Sequence, residues 1–343
     1  MGLIDEIREQ PAVVDRLLRA IPGEARPLIR AMRRTGVDHV LIAARGSSDH
    51  AGVYGQYALG IVGRLPVALA APSIFSRYGR PPRIGRALVI GISQSGQSPD
   101  VVAVVSEARR QGALTLGITN DPHSPLATAA ASVIDLGAGP ERSVAATKTY
   151  TAELAAIAIL AAAIGDLDAD GWRQLHRLPE TMAEALGDED GPAHVAASLG
   201  SMDECVVVGR GFNLATAMEW SLKLKELAAV RAQAYSAADY AHGPIASFAP
   251  AAHLLAVAAR GPLLLDVEQL VERLAVERRA RVTVLGGTAI GGGGWLRFPD
   301  VLPEWLSPLI AILPAQLLTG ALTRLRGMDV ERPRGLAKVT LTR

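Results

Sequence analysis

The stretch Gly91-Ile92-Ser93-Gln94-Ser95-Gly96-Gln97-Ser98-Pro99-Asp100, directly after the apolar run Ala87-Leu88-Val89-Ile90, decides the fold. Consecutive aliphatic residues that end in glycine and clustered hydroxyls describe a buried strand stopping in a turn, and Pro99 suits the first turn of a helix. Gly96 supplies the tight backbone geometry of the turn. A strand, a small-residue loop and a helix in that order open a βαβ unit, with the loop at the carboxyl edge of a parallel sheet. At that edge the hydroxyls of Ser93, Ser95 and Ser98 and the unpaired N–H groups of the helix start could surround a phosphate. The same serine, glycine and proline residues also serve as ordinary helix caps and turn formers.

Outward from this stretch, short apolar runs at 39–44, 66–71, 87–92, 114–119 and 133–136 predict five strands. Longer segments at 50–62, 99–111 and 148–164 separate several of them, the rhythm of an α/β protein with a parallel sheet covered on both faces. Arg45-Gly46-Ser47-Ser48-Asp49 leaves the first strand at the same edge as the serine loop. Neither loop is a Gly-x-Gly-x-x-Gly fingerprint, and no Gly-x-x-x-x-Gly-Lys-Ser/Thr sequence occurs, so neither familiar nucleotide loop is expected.

The pattern then restarts, with strands predicted at 205–208, 254–258, 282–285 and 296–298 and helices at 215–229 and 266–279. Val40-Leu41-Ile42-Ala43-Ala44-Arg45-Gly46 resembles Cys205-Val206-Val207-Val208-Gly209-Arg210-Gly211, 165 residues on, which points to a duplicated domain. The organisation expected is an N-terminal helical lead-in at 1–35 interrupted at Pro11, a first domain at 36–165, a helical linker at 166–200, a second domain at 201–325 and a tail at 326–343. Gly286, Gly287 and Gly291 to Gly294 lack clustered hydroxyls and suggest a flexible surface connection.

With 49% hydrophobic residues among 343, the chain can fill two ordinary cores. Lys plus Arg number 35 against 34 for Asp plus Glu, a net charge of +1 that gives no electrostatic argument for nucleic acid or an anionic membrane. The apolar stretches 154–164 and 306–318 fall short of the roughly 18 residues a spanning helix needs and are expected as buried helices. The charged start, Asp5, Glu6, Arg8 and Glu9, lacks the pattern of a signal peptide, so a cytoplasmic protein is expected. Cys205 is the only cysteine, which excludes an intrachain disulfide and a thiolate cluster for zinc; it is expected in the core.

At Ser93 to Ser98 and at Glu219-Trp220-Ser221-Leu222-Lys223-Leu224-Lys225-Glu226 the chain resembles the sugar isomerase (SIS) superfamily. The nearer likeness is to the isomerase part of glutamine:fructose-6-phosphate amidotransferase and its free-standing relatives. Further matches are Ser143-Val144-Ala145-Ala146-Thr147-Lys148, Ala238-Asp239-Tyr240-Ala241-His242-Gly243-Pro244 and the tail from Gly327 to Lys338. The resemblance implies two tandem SIS domains, each a doubly wound five-stranded parallel sheet flanked by helices, assembled as a homodimer. It implies phosphate held by Ser93, Gln94, Ser95 and Ser98, with Ser47 and Ser48 at the mouth and Ala145 among the substrate-binding residues. Glu226 corresponds to the carboxylate that moves a proton between C1 and C2, and His242 to a ring-opening histidine supplied by the neighbouring subunit. Lys338 corresponds to the lysine that closes over the sugar, while Lys223 and Glu219 correspond to further polar site residues.

Taken without the resemblance, Glu219, Lys223 and Glu226 are spaced by four and three and share one helix face, which favours a solvated salt-bridge face over an acid/base group. His242 precedes Gly243-Pro244 in a loop where its ring could exchange protons near neutral pH, although a lone histidine is more often structural. The amidotransferases carry a glutamine-hydrolysing domain with a terminal cysteine. Here Met1 leads almost at once into the first helices, so that nitrogen source is not expected. The function expected is an aminosugar-phosphate deaminase/isomerase converting glucosamine 6-phosphate, or a close relative, to fructose 6-phosphate and ammonia, with no cofactor and no metal. The alternatives are a fructosamine-6-phosphate deglycase, an aldose–ketose phosphosugar isomerase and a non-catalytic sugar-phosphate sensor. The partners expected are a small phosphorylated sugar or amino sugar and a second copy of the chain, with no nucleic acid and no membrane.

Overall fold

The computed structural model describes residues 2–188 and 190–338. From the amino end the chain forms α1 (Leu3–Arg8), α2 (Gln10–Thr35), β1 (His39–Ala43), α3 (Ser47–Ile61), β2 (Val67–Leu69), α4 (Pro72–Ser76), β3 (Ala87–Ile92), α5 (Pro99–Arg110), β4 (Leu114–Thr119), α6 (Pro125–Ala129), β5 (Ser132–Asp135) and α7 (Lys148–Ile164). Three short helices follow: α8 (Ala169–His176), α9 (Leu178–Ala185) and α10 (Asp190–Ser198). The second series is β6 (Glu204–Gly209), α11 (Asn213–Ala228), β7 (Arg231–Ser236), α12 (Ala237–Ala241), β8 (His253–Ala258), α13 (Leu264–Arg278), β9 (Arg281–Gly286), β10 (Gly294–Arg297) and α14 (Ser307–Leu325).

Every strand pair is parallel, and the two five-stranded sheets run β2-β1-β3-β4-β5 and β10-β9-β8-β6-β7. Counted from the other edge, the second sheet repeats the order of the first, strand for strand. The local match of Val40 with Cys205 is therefore the match of β1 with β6, the second strand of each sheet, and the duplication inferred from seven residues extends to the topology.

Each sheet is covered by a helix with the same stripe. Val101, Val104, Val105 and Ala108 of α5 pack with Ala43, Ala87, Val89 and Leu126. Val267, Leu270, Val271 and Leu274 of α13 pack with Val208, Leu254, Ala256 and Val284. Positions i, i+3, i+4 and i+7 lie on one side of a helix, and each large aliphatic side chain so buried contributes about 2 kcal/mol.

By packing, the chain divides into two compact units that are not continuous in sequence. Of the described residues, the first-sheet unit comprises 12–141, 148–176 and 337–338; the second-sheet unit comprises 2–11, 142–147, 177–188 and 190–336. The division between residues 11 and 12 falls in the first turn of α2, at Pro11, where the helix runs on rather than being interrupted.

Several elements depart from the sequence expectation. β7 was not foreseen, because Arg231, Gln233 and Tyr235 interrupt any apolar run; it is an edge strand with Arg231 and Gln233 exposed. The glycine-rich segment 287–293 lies mostly exposed at the surface, as expected, and connects parallel β9 and β10. A Cβ on Gly293 would stand 2.1 Å from the Val282 carbonyl oxygen, and Gly291 and Gly292 have φ of +72° and +66°. Helix α14 runs on to Leu325, beyond the stretch 306–318, because Pro314 is accommodated inside it. Together with the turn before it, the helix is long and apolar enough to cross a membrane by length and composition, yet most of it is buried inside the protein.

Candidate active site

In the first-sheet unit, β1 and β3 are neighbours whose helices diverge, so the loops after them meet at the carboxyl edge where the strand order reverses. Gly46 precedes α3 with φ +59°, and Arg45 next to it binds Asp100 of α5 through Nη2 at 2.7 Å and Nε at 3.2 Å. Burial would raise the Asp100 pKa, but the Arg45 guanidinium outweighs it and holds the carboxyl below the usual carboxylate range. Ser47 is partly exposed, whereas Ser48 is buried and donates to Glu153 at 2.8 Å, so Ser48 serves the interior.

The serine loop is held by its backbone. Ser93 N–H donates to the Ile118 carbonyl, Gly96 N–H to the Ser93 carbonyl, and the Gln94 carbonyl accepts from Asn120 N–H. Gly96 has φ +62°, and a Cβ there would lie 2.0 Å from Ser124 Oγ, so both conformation and space demand glycine. Ser93 Oγ and Ser98 Oγ approach to 3.4 Å, while Ser95 Oγ accepts from Gln97 N–H at 3.3 Å. Ser98 precedes α5 without spending its side chain as a cap, which leaves its hydroxyl and the first N–H groups of α5 available to an anion. Gln94, Ser95 and Ser98 are partly exposed and Ser93 is buried. The structure thus brings all four together around one turn.

Lys338 also belongs to the first-sheet unit, where its Nζ donates to Glu141 Oε2 at 2.7 Å. Glu141 is buried and also accepts from Thr149 N–H at 3.0 Å and Thr149 Oγ1 at 2.7 Å, in the first turn of α7. One carboxylate therefore caps a helix and docks the tail lysine.

In the second-sheet unit, α11 carries Glu219, Lys223 and Glu226 on one face, as their spacing requires. That face is not solvated. Lys223 Nζ lies 3.2 Å from Glu219 Oε1 and 2.6 Å from Glu226 Oε2, with side-chain exposures of 2% for Lys223, 0% for Glu219 and 22% for Glu226. Burial alone works against the Lys223 charge, but the two carboxylates outweigh it and raise its pKa. A buried ion pair is a poor source of stability, since desolvation offsets the attraction. The arrangement leaves one carboxylate, Glu226, partly exposed with a charged network behind it.

His242 follows α12, is exposed, and has no side-chain hydrogen bond or ion pair among the described residues. Ala145 is 1% exposed in an apolar cluster with Leu3, Ile7, Leu227 and Val330, so its side chain is core. Sequence reasoning missed three carboxylates: Glu141, Glu6 and Glu331. Glu6 is fully buried and accepts from the N–H groups of Arg142 and Ser143. Glu331, in the tail motif, accepts from Leu3 N–H at 2.8 Å and from Ser143 Oγ at 3.3 Å. For Glu141 and Glu331 a place beside or inside a matched motif was the available signal; Glu6 had none.

These features define a duplicated α/β protein of strand order 2-1-3-4-5, with a hydroxyl-rich loop at the switch point of one sheet and a buried carboxylate–ammonium–carboxylate helix beside the other. The SIS domain model matches residues 35–163. The glutamine–fructose-6-phosphate aminotransferase (isomerizing) of Thermus thermophilus is 34% identical over 98% of this chain, which spans 58% of that relative's length. A Silicibacter pomeroyi crystal structure to which phosphosugar isomerase activity is attributed is 34% identical with a TM-score of 0.87, covering 96% of this chain and 100% of that one. A glucosamine-6-phosphate deaminase of Thermotoga maritima shares the fold over the whole of both chains, with a TM-score of 0.77 at 21% identity. The chain belongs to the SIS-domain family.

Proposed function

We propose that this protein is an aminosugar-phosphate deaminase/isomerase that converts glucosamine 6-phosphate, or a close relative, to fructose 6-phosphate and ammonia. The observation that carries the reading is the graded burial of Glu219, Lys223 and Glu226, which leaves Glu226 alone facing solvent. The names borne by the Thermus and Silicibacter relatives supply the substrate class. The serine loop takes the phosphate, and exposed His242, contributed by a second copy of the chain, assists ring opening. In the open aldehyde form, Glu226 removes the C2 proton to give an enol across C1 and C2 and returns a proton at C1, leaving an imine at C2. Water adds there, its oxygen becomes the ketone oxygen, and nitrogen leaves as ammonia. Lys223 holds Glu226 in place, and Lys338 closes over the sugar from its dock on Glu141. The only thiol in these residues, Cys205, is buried and pushed up to about 12, so a thiolate attack on glutamine has no nucleophile within them.

The test is a parallel assay of ammonia and ketose from glucosamine 6-phosphate. Stoichiometric appearance of both supports deamination. Ketose from an aldose phosphate without ammonia assigns plain isomerisation, release of an intact amino acid from fructosamine 6-phosphate assigns deglycation, and binding without turnover assigns a sensor.

A further inference from the structure

The duplication extends to one pair of side chains at the carboxyl edge of each sheet. Arg45, which follows β1, binds Asp100 in the first turn of α5 through two nitrogens. Arg210, which follows β6, lies with Nε 2.7 Å from Oδ2 of Asp266 in the first turn of α13. The glycines after the two arginines match as well, Gly46 with φ +59° and Gly211 with φ +58°. Each half therefore ties the loop after its first strand in sequence to the helix after its third.

What surrounds the two ties differs. Beside Arg210 the space is filled: the cavity there is about 10 Å3, lined by Asn213, Leu263, Leu264 and Glu304 among others, and a Cβ on Gly211 would lie 2.7 Å from Leu263 Cδ1. Room for about one water excludes a phosphate. Beside Arg45 stands the serine loop, with the Ser98 hydroxyl and the first N–H groups of α5. Two acids share that place: Asp100, 4% exposed, and Asp49 in the first turn of α3, partly buried. By the 165-residue offset the second half has Leu214 in place of Asp49. A carboxylate in the first turn of a helix competes with an anion for the same N-terminus. Burial, the largest influence on both acids, pushes their pKa values up. Arg45 opposes it through hydrogen bonds to Asp100 and through space, behind His50, at Asp49, which leaves Asp100 lowered and Asp49 raised. Arg77 adds only a weaker attraction at Asp100.

We propose that Arg45 is a positioning residue of the anion site: it cancels the Asp100 charge at the start of α5 and so lets a dianionic phosphate take that helix N-terminus beside the serine loop. The inference rests on the reading that the serine loop takes the phosphate. Its effect runs through Asp100 and requires no contact between Arg45 and the ligand.

The experiment measures fructose 6-phosphate binding by calorimetry near neutral pH, with folding checked by circular dichroism. Arg45→Gln leaves the Asp100 charge without its bonded partner and should weaken binding about twentyfold. Arg45→Lys keeps the charge without the two-nitrogen grip and should stay within about threefold of wild type. Arg45→Gln combined with Asp100→Asn removes both charges and should also return to within about threefold, a recovery that loss of packing would not give. Arg210→Gln breaks the matching tie where no anion fits and should leave affinity within about twofold. Wild-type binding by folded Arg45→Gln, Arg45→Lys as weak as Arg45→Gln, a double variant no tighter than the single one, or equal weakening by Arg210→Gln would each overturn the proposal. Failure of the wild-type chain itself to bind fructose 6-phosphate would instead remove the serine-loop reading, and the proposal with it.

Discussion

The two sheets share a strand order but differ in what stands at matching places. After its third strand in sequence, the first sheet has Ser93-Gln94-Ser95-Gly96-Gln97-Ser98, whereas the second has Ala259-Arg260-Gly261-Pro262-Leu263, with no hydroxyl side chain. After its first strand the second sheet has α11 with its Glu219–Lys223–Glu226 network, while the corresponding α3 places Ser48 against buried Glu153. The last crossover contains α6 in one unit and is a glycine-rich run in the other. Strand order depends on hydrophobic pattern and crossover handedness, which tolerate wide changes in loop chemistry. Duplication can thus keep the scaffold while one copy carries a hydroxyl-rich loop and the other a buried carboxylate–ammonium–carboxylate helix face.

The sharpest way to break this division of labour is Glu226→Gln. It keeps the side-chain size and removes the proton acceptor, so turnover should fall by at least about a hundredfold while circular dichroism and phosphosugar affinity hold. A folded, substrate-saturated variant with near-normal turnover would take the chemistry away from the second half. Next in size is Ser95→Asp, whose added negative charge should weaken phosphosugar binding about tenfold by calorimetry; unchanged affinity would take the anion loop away from the first half.

A hybrid sharpens the comparison between copies of the chain. Mixing Glu226→Gln with His242→Ala under exchange should restore about a quarter of wild-type activity, because half of the resulting dimers would hold one intact site. No recovery when hybrid formation is verified by mass would place His242 with its own Glu226. The smallest effect belongs to Asp100→Asn. Asp100 has a depressed pKa in the folded protein, so its contribution to stability is present above the ordinary carboxylate pKa and is lost as pH falls through the lowered value. The substitution should cost about 1 kcal/mol in urea unfolding at pH 7, given the half-exposed Arg45 partner, and the difference should close well below pH 3.8, the ordinary value. A gap that persists at low pH would make the loss one of packing.

Much of the scaffold was legible because buried parallel strands are apolar almost without interruption: β3 and β4 run from Ala87 to Ile92 and from Leu114 to Thr119, the spans their patterns predict. β7 was hidden because an edge strand needs no such run, although the alternation Arg231-Ala232-Gln233-Ala234 was its signal. The serine loop was legible as a local object. The α11 network was legible in spacing but not in burial, since nothing local tells a helix face whether water or protein will cover it. Glu6, Glu141 and Glu331 escaped notice because their partners lie 137, 197 and 188 residues away at Ser143, Lys338 and Ser143.

The six residues 142–147 carry a consequence for anyone who would take this molecule apart. They lie between pieces of the first-sheet unit, yet they pack in the second-sheet unit, where Ala145 joins Leu3, Ile7, Leu227 and Val330 and the Ser143 amide meets Glu6. A fragment beginning in the linker, however well it preserves β6 to β10, would lack α1 and this insert. Leu227 and Val330 would then face water and Glu331 would lose both Leu3 and Ser143. Expressing the halves separately is thus a problem of thread, not of hinge: the useful scissile points are those that let residues 2–11 and 142–147 travel with the half they serve, as a permuted or grafted chain would.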